Sequence, residues 1–329
     1  MTDRREYRQG RFVYLLDDND HTAWIQSGHI GRCKTYRVPE YVDIEGVRYT
    51  ITRIEHYAYN LPRTLQHLII PDSIEYVDED VLDVLPNLKS VFMGKGVESL
   101  SSWNFRRCPK LRNFRIDSQN PHLKVRDGLV LAKNGTSLLC KLFNRKNLKE
   151  LNIPEGVEIV APEAFSYEGQ LETISFPSSL REIHDNSFSN LPKLKRIIIP
   201  DGLERLTIQC FMDNENLEYV DLPATVKLMG GDVFMGCHNL KKLIIRSSEL
   251  LTRYISYFEP EQYSNCRLYV SAEILMAYRK DPFWGRFMYI LPILESGRIE
   301  GEIPDLSNYA SEIRFDNDAF VKSQGNGNY

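Results

Sequence analysis

The residues of this chain whose types lend themselves to chemistry are an acidic loop, Asp17 to Thr22 (DDNDHT), six cysteines, seven scattered histidines and the tripeptide Asn134-Gly135-Thr136. A calcium loop beginning at Asp17 needs glycine at its sixth position and glutamate at its twelfth. Those positions hold Thr22 and Gly28, so the stretch reads as a polar turn between the apolar runs RFVYLL and TAWIQ. Cys33, Cys108, Cys140, Cys210, Cys237 and Cys266 form no C-x-x-C pair, and no two histidines have the H-E-x-x-H spacing of a zinc site. Neither GKGVES nor Gly230-Gly231 opens a phosphate loop, and no G-x-S-x-G nucleophile elbow occurs. The expectation is a chain with no catalytic, cofactor or metal residues, whose cysteines are buried free thiols in a reducing compartment.

Composition narrows the class further. Hydrophobic residues at 42 % and charged residues at 26 % are ordinary for a folded domain, which excludes wholesale disorder. From Glu295 to Tyr329 seven acids (Glu295, Glu300, Glu302, Asp305, Glu312, Asp316, Asp318) face three bases (Arg298, Arg314, Lys322), and the rest of the chain is balanced. A balanced body lacks the basic footprint of a nucleic-acid binder. No run approaches the roughly 18 to 20 apolar residues of a membrane span. The amino terminus starts with charges, but RFVYLLDDND places acids after a short apolar run, so no export signal is read and a cytoplasmic location is expected.

The elements that must position any surface come from a repeat. LQHLIIPDSIEYVDEDVLDVLPN begins at Leu65, and the same pattern restarts at Leu88, Leu111, Leu148, Leu171, Leu194, Leu217 and Leu240, every 23 residues except for one gap of 37. Columns one, four, six, ten, thirteen and eighteen stay apolar, as in Leu171, Ile174, Phe176, Leu180, Ile183 and Phe188. Columns four and six alternate as in a strand, and column seven is proline at Pro71, Pro154, Pro177, Pro200 and Pro223. Proline has no amide hydrogen for the ladder and ends the strand, and the residues after it are turn formers. Units of this size bury their apolar face only by stacking, so the strands pair in parallel and each column becomes an internal spine. Column eighteen, with Phe105, Phe165, Phe188, Phe211 and Phe234, is an aromatic one.

This pattern resembles leucine-rich repeats, L-x-x-L-x-L-x-x-N/C-x-L, but column nine is Ser73, Gly96, Gly156, Ser179, Gly202 or Thr225 and never the usual Asn or Cys. With L-x-x-I-x-I-P followed by V-x-x-I and A-F or S-F, as in APEAFSYEGQLETISFP and DNSFSNLPKLKRIIIP, it resembles the bacterial BspA-like subgroup. The resemblance implies an α/β solenoid: a right-handed leucine-rich-repeat stack of about eight 23-residue repeats with parallel strands, short helical turns and terminal caps. Residues 1–64 are then an N-terminal cap with a degenerate first repeat and 65–265 the repeats. A hairpin insertion at about 117–147 is centred on Asn134-Gly135, the strongest short hairpin signal. Residues 266–293 form a C-terminal cap, with Ser271 as a helix N-cap and Met276, Phe283 and Trp284 lying over the last repeat. Residues 294–329 are an acidic, partly disordered tail. The family's implication in adhesion and protein binding points to a non-catalytic protein-interaction scaffold. A cell-surface adhesin or glycan-binding module, and hence a surface or secreted location, is the alternative.

In each strand the third and fifth columns face away from the core. Among them Ile69, Phe92, Arg196, Ile198, Tyr219 and Ile244 are the candidate partner-binding surface, with Ile69 beside Phe92 and Ile198 with Ile244 as apolar patches. A protein partner is expected, its identity and any self-association left open, and no nucleic acid.

Overall fold

The computed structural model describes residues 4–79, 81–105, 107–141, 148–254 and 258–294, so the acidic tail after Leu294 lies outside the described residues. The described residues up to Pro292 belong to one compact unit.

The opening residues of each repeat form a first ribbon of parallel strands. His67–Ile70, Ser90–Met93 and Asn113–Ile116 pair in register at the repeat spacing, and so do Arg196–Ile198, Tyr219–Leu222 and Lys242–Ile245. Column-seven proline ends these strands as its missing amide requires. Where that column is not proline the ladder runs one bond further, from Gly94 to the Ile70 carbonyl at 2.9 Å and from Arg246 to the Leu222 carbonyl at 3.1 Å.

The turn after the strand is closed by column ten donating to the column-seven carbonyl, as Leu180 does to Pro177 at 3.1 Å. Column nine sits inside it, and at Ser179 and Thr225 it takes over the task of the asparagine ladder. Ser179 Oγ accepts the Gly156 amide at 2.9 Å and donates to the Val157 carbonyl at 2.8 Å.

A second ribbon runs through columns twelve and thirteen: Ile159–Val160, Glu182–Ile183, Arg205–Leu206, Leu228–Met229 and Thr252–Arg253 pair parallel in sequence order. The structure departs from the expectation of short helical turns on the face that follows. Among the described residues of columns fifteen to twenty-one, helix is limited to the 3₁₀ turn Ser102–Phe105 and the start of the α-helix Pro260–Asn265. Elsewhere amides donate along the stack, Phe165 to Ser187 and Phe188 to Cys210 at 2.9 Å each, and Phe211 to Val233 at 3.1 Å. Columns sixteen and twenty take positive φ to allow this: Glu163 at 56° and Tyr167 at 62°, Asn186 at 53° and Asn190 at 57°, Gln209 and Asp213 at 55°. Left-handed geometry costs a non-glycine residue roughly 1 to 2 kcal/mol. It turns every second amide toward the next coil, where a bond offsets that cost.

Column eighteen is the aromatic spine. Phe165 and Phe188 stack at 5.3 Å, Phe188 and Phe211 at 5.6 Å, Phe211 and Phe234 at 5.9 Å, and Phe258 prolongs the row at 6.4 Å.

The caps are built partly as extra rungs, and the stack has about ten turns rather than eight. Thr35–Arg37 precedes His67–Ile70 in the first ribbon, and Arg267–Val270 and Tyr289–Pro292 follow Lys242–Ile245. Ahead of them the acidic loop is the turn of an antiparallel hairpin, Phe12–Asp17 with Thr22–His29. Its acids are already engaged: Asp17 accepts the Asn19 amide, Asp20 the Thr22 amide and hydroxyl, and Asp18 the Tyr49 hydroxyl at 2.5 Å.

At the carboxyl end Trp284 is fully buried against Phe258, Tyr278 and Phe283, as a cap residue is. Met276 instead points to solvent, on the far face of the helix Leu275–Lys280. Ser271 stands at the N-cap of the 3₁₀ turn Ala272–Ile274, but its hydroxyl makes no capping bond.

The insertion is an antiparallel meander, Leu123–Arg126, Leu129–Ala132 and Ser137–Lys141, turning at Asp127-Gly128 and Asn134-Gly135. Gly135, at φ 88°, supplies the left-handed residue of the second turn. The last inserted strand pairs parallel with Ile159–Val160 and so splices into the second ribbon. Two core clusters meet here, with Leu129 and Leu131 in one and Val130 between them in the other.

Candidate functional site

The solenoid frame places columns three and five of the first ribbon on its outer face. Arg196, Tyr219, Lys242, Arg267 and Tyr289 are in register along column three. Ile69 and Phe92 are in register in column five, half-buried and 37 % exposed, and Ile198 is 52 % exposed. The inward neighbours Ile197 and Ile199 are buried, so the strand sequence RII is read residue by residue as the alternation requires.

Ile244 departs from the expectation. Its exposure is 0 %, and its in-register neighbours Asp221 and Tyr269 are buried as well, so Ile198 and Ile244 do not share an exposed patch. The physical reason lies two residues on. Arg246 replaces the column-seven proline, its strand continues, and its guanidinium turns back over the outer face to take both carboxylate oxygens of Asp221 at 2.7 and 2.8 Å. Facing away from the core is a property of strand geometry; being open to water depends on what the neighbouring rungs carry.

Around this pair the face is wired. Tyr219 donates its hydroxyl to Asp221 at 3.3 Å, and the Arg196 guanidinium lies 4.5 Å from the centre of the Tyr219 ring. Burial, and then the Asp221 charge, push the Tyr219 hydroxyl above its ordinary range, and donating its hydrogen bonds to Asp221 raises Arg246.

The thiols are not poised for chemistry. Cys108, Cys140, Cys210, Cys237 and Cys266 are buried and Cys33 is half-buried, all of them free. Burial pushes the thiols of Cys108, Cys140, Cys237 and Cys266 up to about 12 and that of Cys210 up as well, away from the thiolate a nucleophile needs. Cys108 and Cys237 donate to the carbonyls of Leu82 and Phe211, at 3.1 and 3.2 Å, each in the coil before its own. Asn214 fills the same column, donating to Phe188 and Phe211 carbonyls and accepting the Leu191 amide at 2.7 Å. This polar spine was hidden in the sequence because cysteine, asparagine and leucine share its column, and its signal is the capacity to satisfy a carbonyl rather than hydropathy.

Cys108 also borders a cavity of about 550 Å³ with Val84, Pro86, Trp103, Ala164 and Tyr167. Lys141 and Glu168 close an ion pair at its wall. Among the described residues no three His, Cys, Asp or Glu side chains are grouped to hold a metal ion, and no helix is long and apolar enough to cross a membrane.

Two pleated ribbons, a laddered turn face and spines recurring at the repeat spacing define a leucine-rich-repeat solenoid. Residues 42–126 and 136–268 match the BspA type leucine-rich repeat region in six copies, and the chain belongs to that family, whose repeat is typically an interaction scaffold. A leucine-rich repeat protein from Bacteroides ovatus shares the fold at a TM-score of 0.50 and 18 % identity, over 87 % of this chain and 76 % of that one. One from Eubacterium ventriosum is similar at 0.49 and 15 % identity, over 90 % and 95 %. A leucine rich cell surface protein from Faecalibacterium prausnitzii is similar at 0.35 and 16 %, over 79 % and 96 %. No curated protein matches the chain in sequence.

Proposed function

We propose that this protein is a non-catalytic scaffold that presents the outer face of its first ribbon to a protein partner. The observation that carries this reading is the exposure of Phe92 and Ile198 on strands whose opposite faces are locked into the core. Large apolar side chains on rigid sheet faces, Ile198 of them beside the cation and ring of Arg196 and Tyr219, have the composition of an interface centre. Ile69 belongs to the surface as the register neighbour of Phe92.

The test is affinity capture from the native host with the full chain as bait, against the double variant Phe92→Asp, Ile198→Asp. Both positions are solvent-facing, so the variant keeps its fold by circular dichroism. Loss of the captured proteins supports the reading; recovery of the same proteins on the variant overturns it.

A further inference from the structure

Several cations on this solenoid pair with carboxylates along the stack. Column two reads Lys149, Glu172, Lys195, Glu218 and Lys241, and Lys149 pairs with Glu172 at 3.4 Å and Lys241 with Glu218 at 3.1 Å. On the second ribbon Lys227 pairs with Glu204, and Arg205 with Glu182. Column three carries cations without such pairs, in register on nearby rungs. Arg196, Lys242 and Arg267 have no carboxylate partner among the described residues, and the Arg267 Nε is buried without a hydrogen bond. They are interleaved with tyrosines, Arg196 over the Tyr219 ring at 4.5 Å and Arg267 over the Tyr289 ring at 5.7 Å. The carboxylate within these strands, Asp221, is held by Arg246 at both oxygens and is spent.

We propose that this row binds an acidic, extended peptide segment of a partner protein, laid across the rungs, with an apolar side chain seated on Ile198. The proposal rests on the outer-face reading above and adds the partner's chemistry. The rungs stand about 4.8 Å apart. Lys242 and Arg267 are on adjacent rungs and Arg196 is two rungs from Lys242, so carboxylates at short intervals along an extended chain reach all three. Each unpaired cation gains a charge-assisted bond on binding, and the flanking tyrosine rings shield it from water. A polyanion such as single-stranded RNA or a sulfated glycan is disfavoured: the row is one column wide, carries one exposed isoleucine beside it, and sits on a charge-balanced body that gives no long-range field.

Panning a displayed library of random twelve-residue peptides on the full chain tests this. The selected peptides, made synthetically, are measured by fluorescence anisotropy against the wild type and against Arg196→Ala, Lys242→Ala, Arg267→Ala and Ile198→Ser. The expected result is a set rich in Asp and Glu with interspersed apolar residues, whose affinity falls with salt. Each single variant is expected to lower it roughly threefold, and the triple cation variant by tenfold or more. Peptides with no acidic enrichment, no selected peptides, or affinities indifferent to the variants overturn the proposal. So does displacement by oligouridylate or heparin at lower concentration than by the peptide's own acidic parent. If host proteins are still lost on Phe92→Asp, Ile198→Asp while peptides fail, the partner chemistry is wrong and the scaffold reading stands; if capture is also unchanged, both fall.

Discussion

Thr225 spans two coils through one hydroxyl: its Oγ1 accepts the Gly202 amide at 2.9 Å and donates to the Leu203 carbonyl at 2.7 Å. Gly202, at φ 126°, lies so close to the preceding coil that a Cβ there would come within 2.6 Å of the Ser178 carbonyl oxygen. In column nine, then, Gly96 and Gly202 sit where coils touch, and Ser179 and Thr225 tie coils through a hydroxyl.

The first prediction separates those two demands. Thr225→Val keeps the shape and loses the bridge, leaving an amide and a carbonyl without their partner, and should cost about 1 to 3 kcal/mol. Thr225→Ser keeps the bridge and should cost under about 1 kcal/mol. Gly202→Ala should exceed both, since its backbone conformation and the carbonyl contact are each refused. Urea midpoints of the three variants give the order.

The aromatic spine predicts a contrast between adjacent repeats. Phe188 touches Phe165, Phe176 and Phe211, so Phe188→Ala should cost about 3 to 5 kcal/mol. Ile198→Ala, on the exposed face ten residues on, should stay within about 0.5 kcal/mol. A Phe188→Ala urea midpoint equal to that of the wild type would contradict the packing described for column eighteen.

The buried thiols predict alkaline behaviour. The free thiols of the unfolded chain titrate near 8.5, whereas four thiols in the fold are pushed up to about 12. Above the unfolded value the unfolded chain binds fewer protons than the fold, so stability is fully present below about pH 8.5 and is lost as pH rises toward 12. Tyr14 and Tyr278, raised to about 12 by burial, act with the same sign from about pH 10 upward. Melting temperature should therefore fall between pH 8 and 10, and less steeply in a Cys140→Val variant. In the native state at pH 8 a thiol reagent should modify Cys33 well before the other five.

How much of this was legible in the sequence follows from what each column must satisfy. Strand rungs and apolar spines were readable because hydropathy recurs at fixed spacing, and a residue such as Phe188 has one reason to be there. The turn face was not readable as a ladder. Asn186, Asn190, Gln209 and Asp213 are all polar, which reads as ordinary surface, and their further common property, acceptance of a left-handed backbone, is visible only beside the carbonyls they aim their neighbours at. Ile69, Phe92 and Ile198 were placed outward by alternation alone. Ile244 is turned outward by the same rule, yet it is buried between its rung neighbours Asp221 and Tyr269, the first of them held by Arg246 in a pairing across 25 residues that no local pattern encodes.

That pairing supports the last prediction, made by restoring the motif. Arg246→Pro gives column seven the proline found in five other repeats, and by the sequence pattern alone it should be neutral or stabilising. In the structure it removes the amide that bonds the Leu222 carbonyl at 3.1 Å and strips the buried Asp221 of its bidentate partner. Breaking a buried pair from one side costs about 3 to 5 kcal/mol, and the ladder bond adds about 1. The variant should be among the least stable single substitutions on the outer face. Adding Asp221→Asn to it should recover much of the loss, because the uncompensated charge is then gone. A double-mutant cycle on urea midpoints reads both effects, and additive losses would mean that Arg246 acts through its backbone alone.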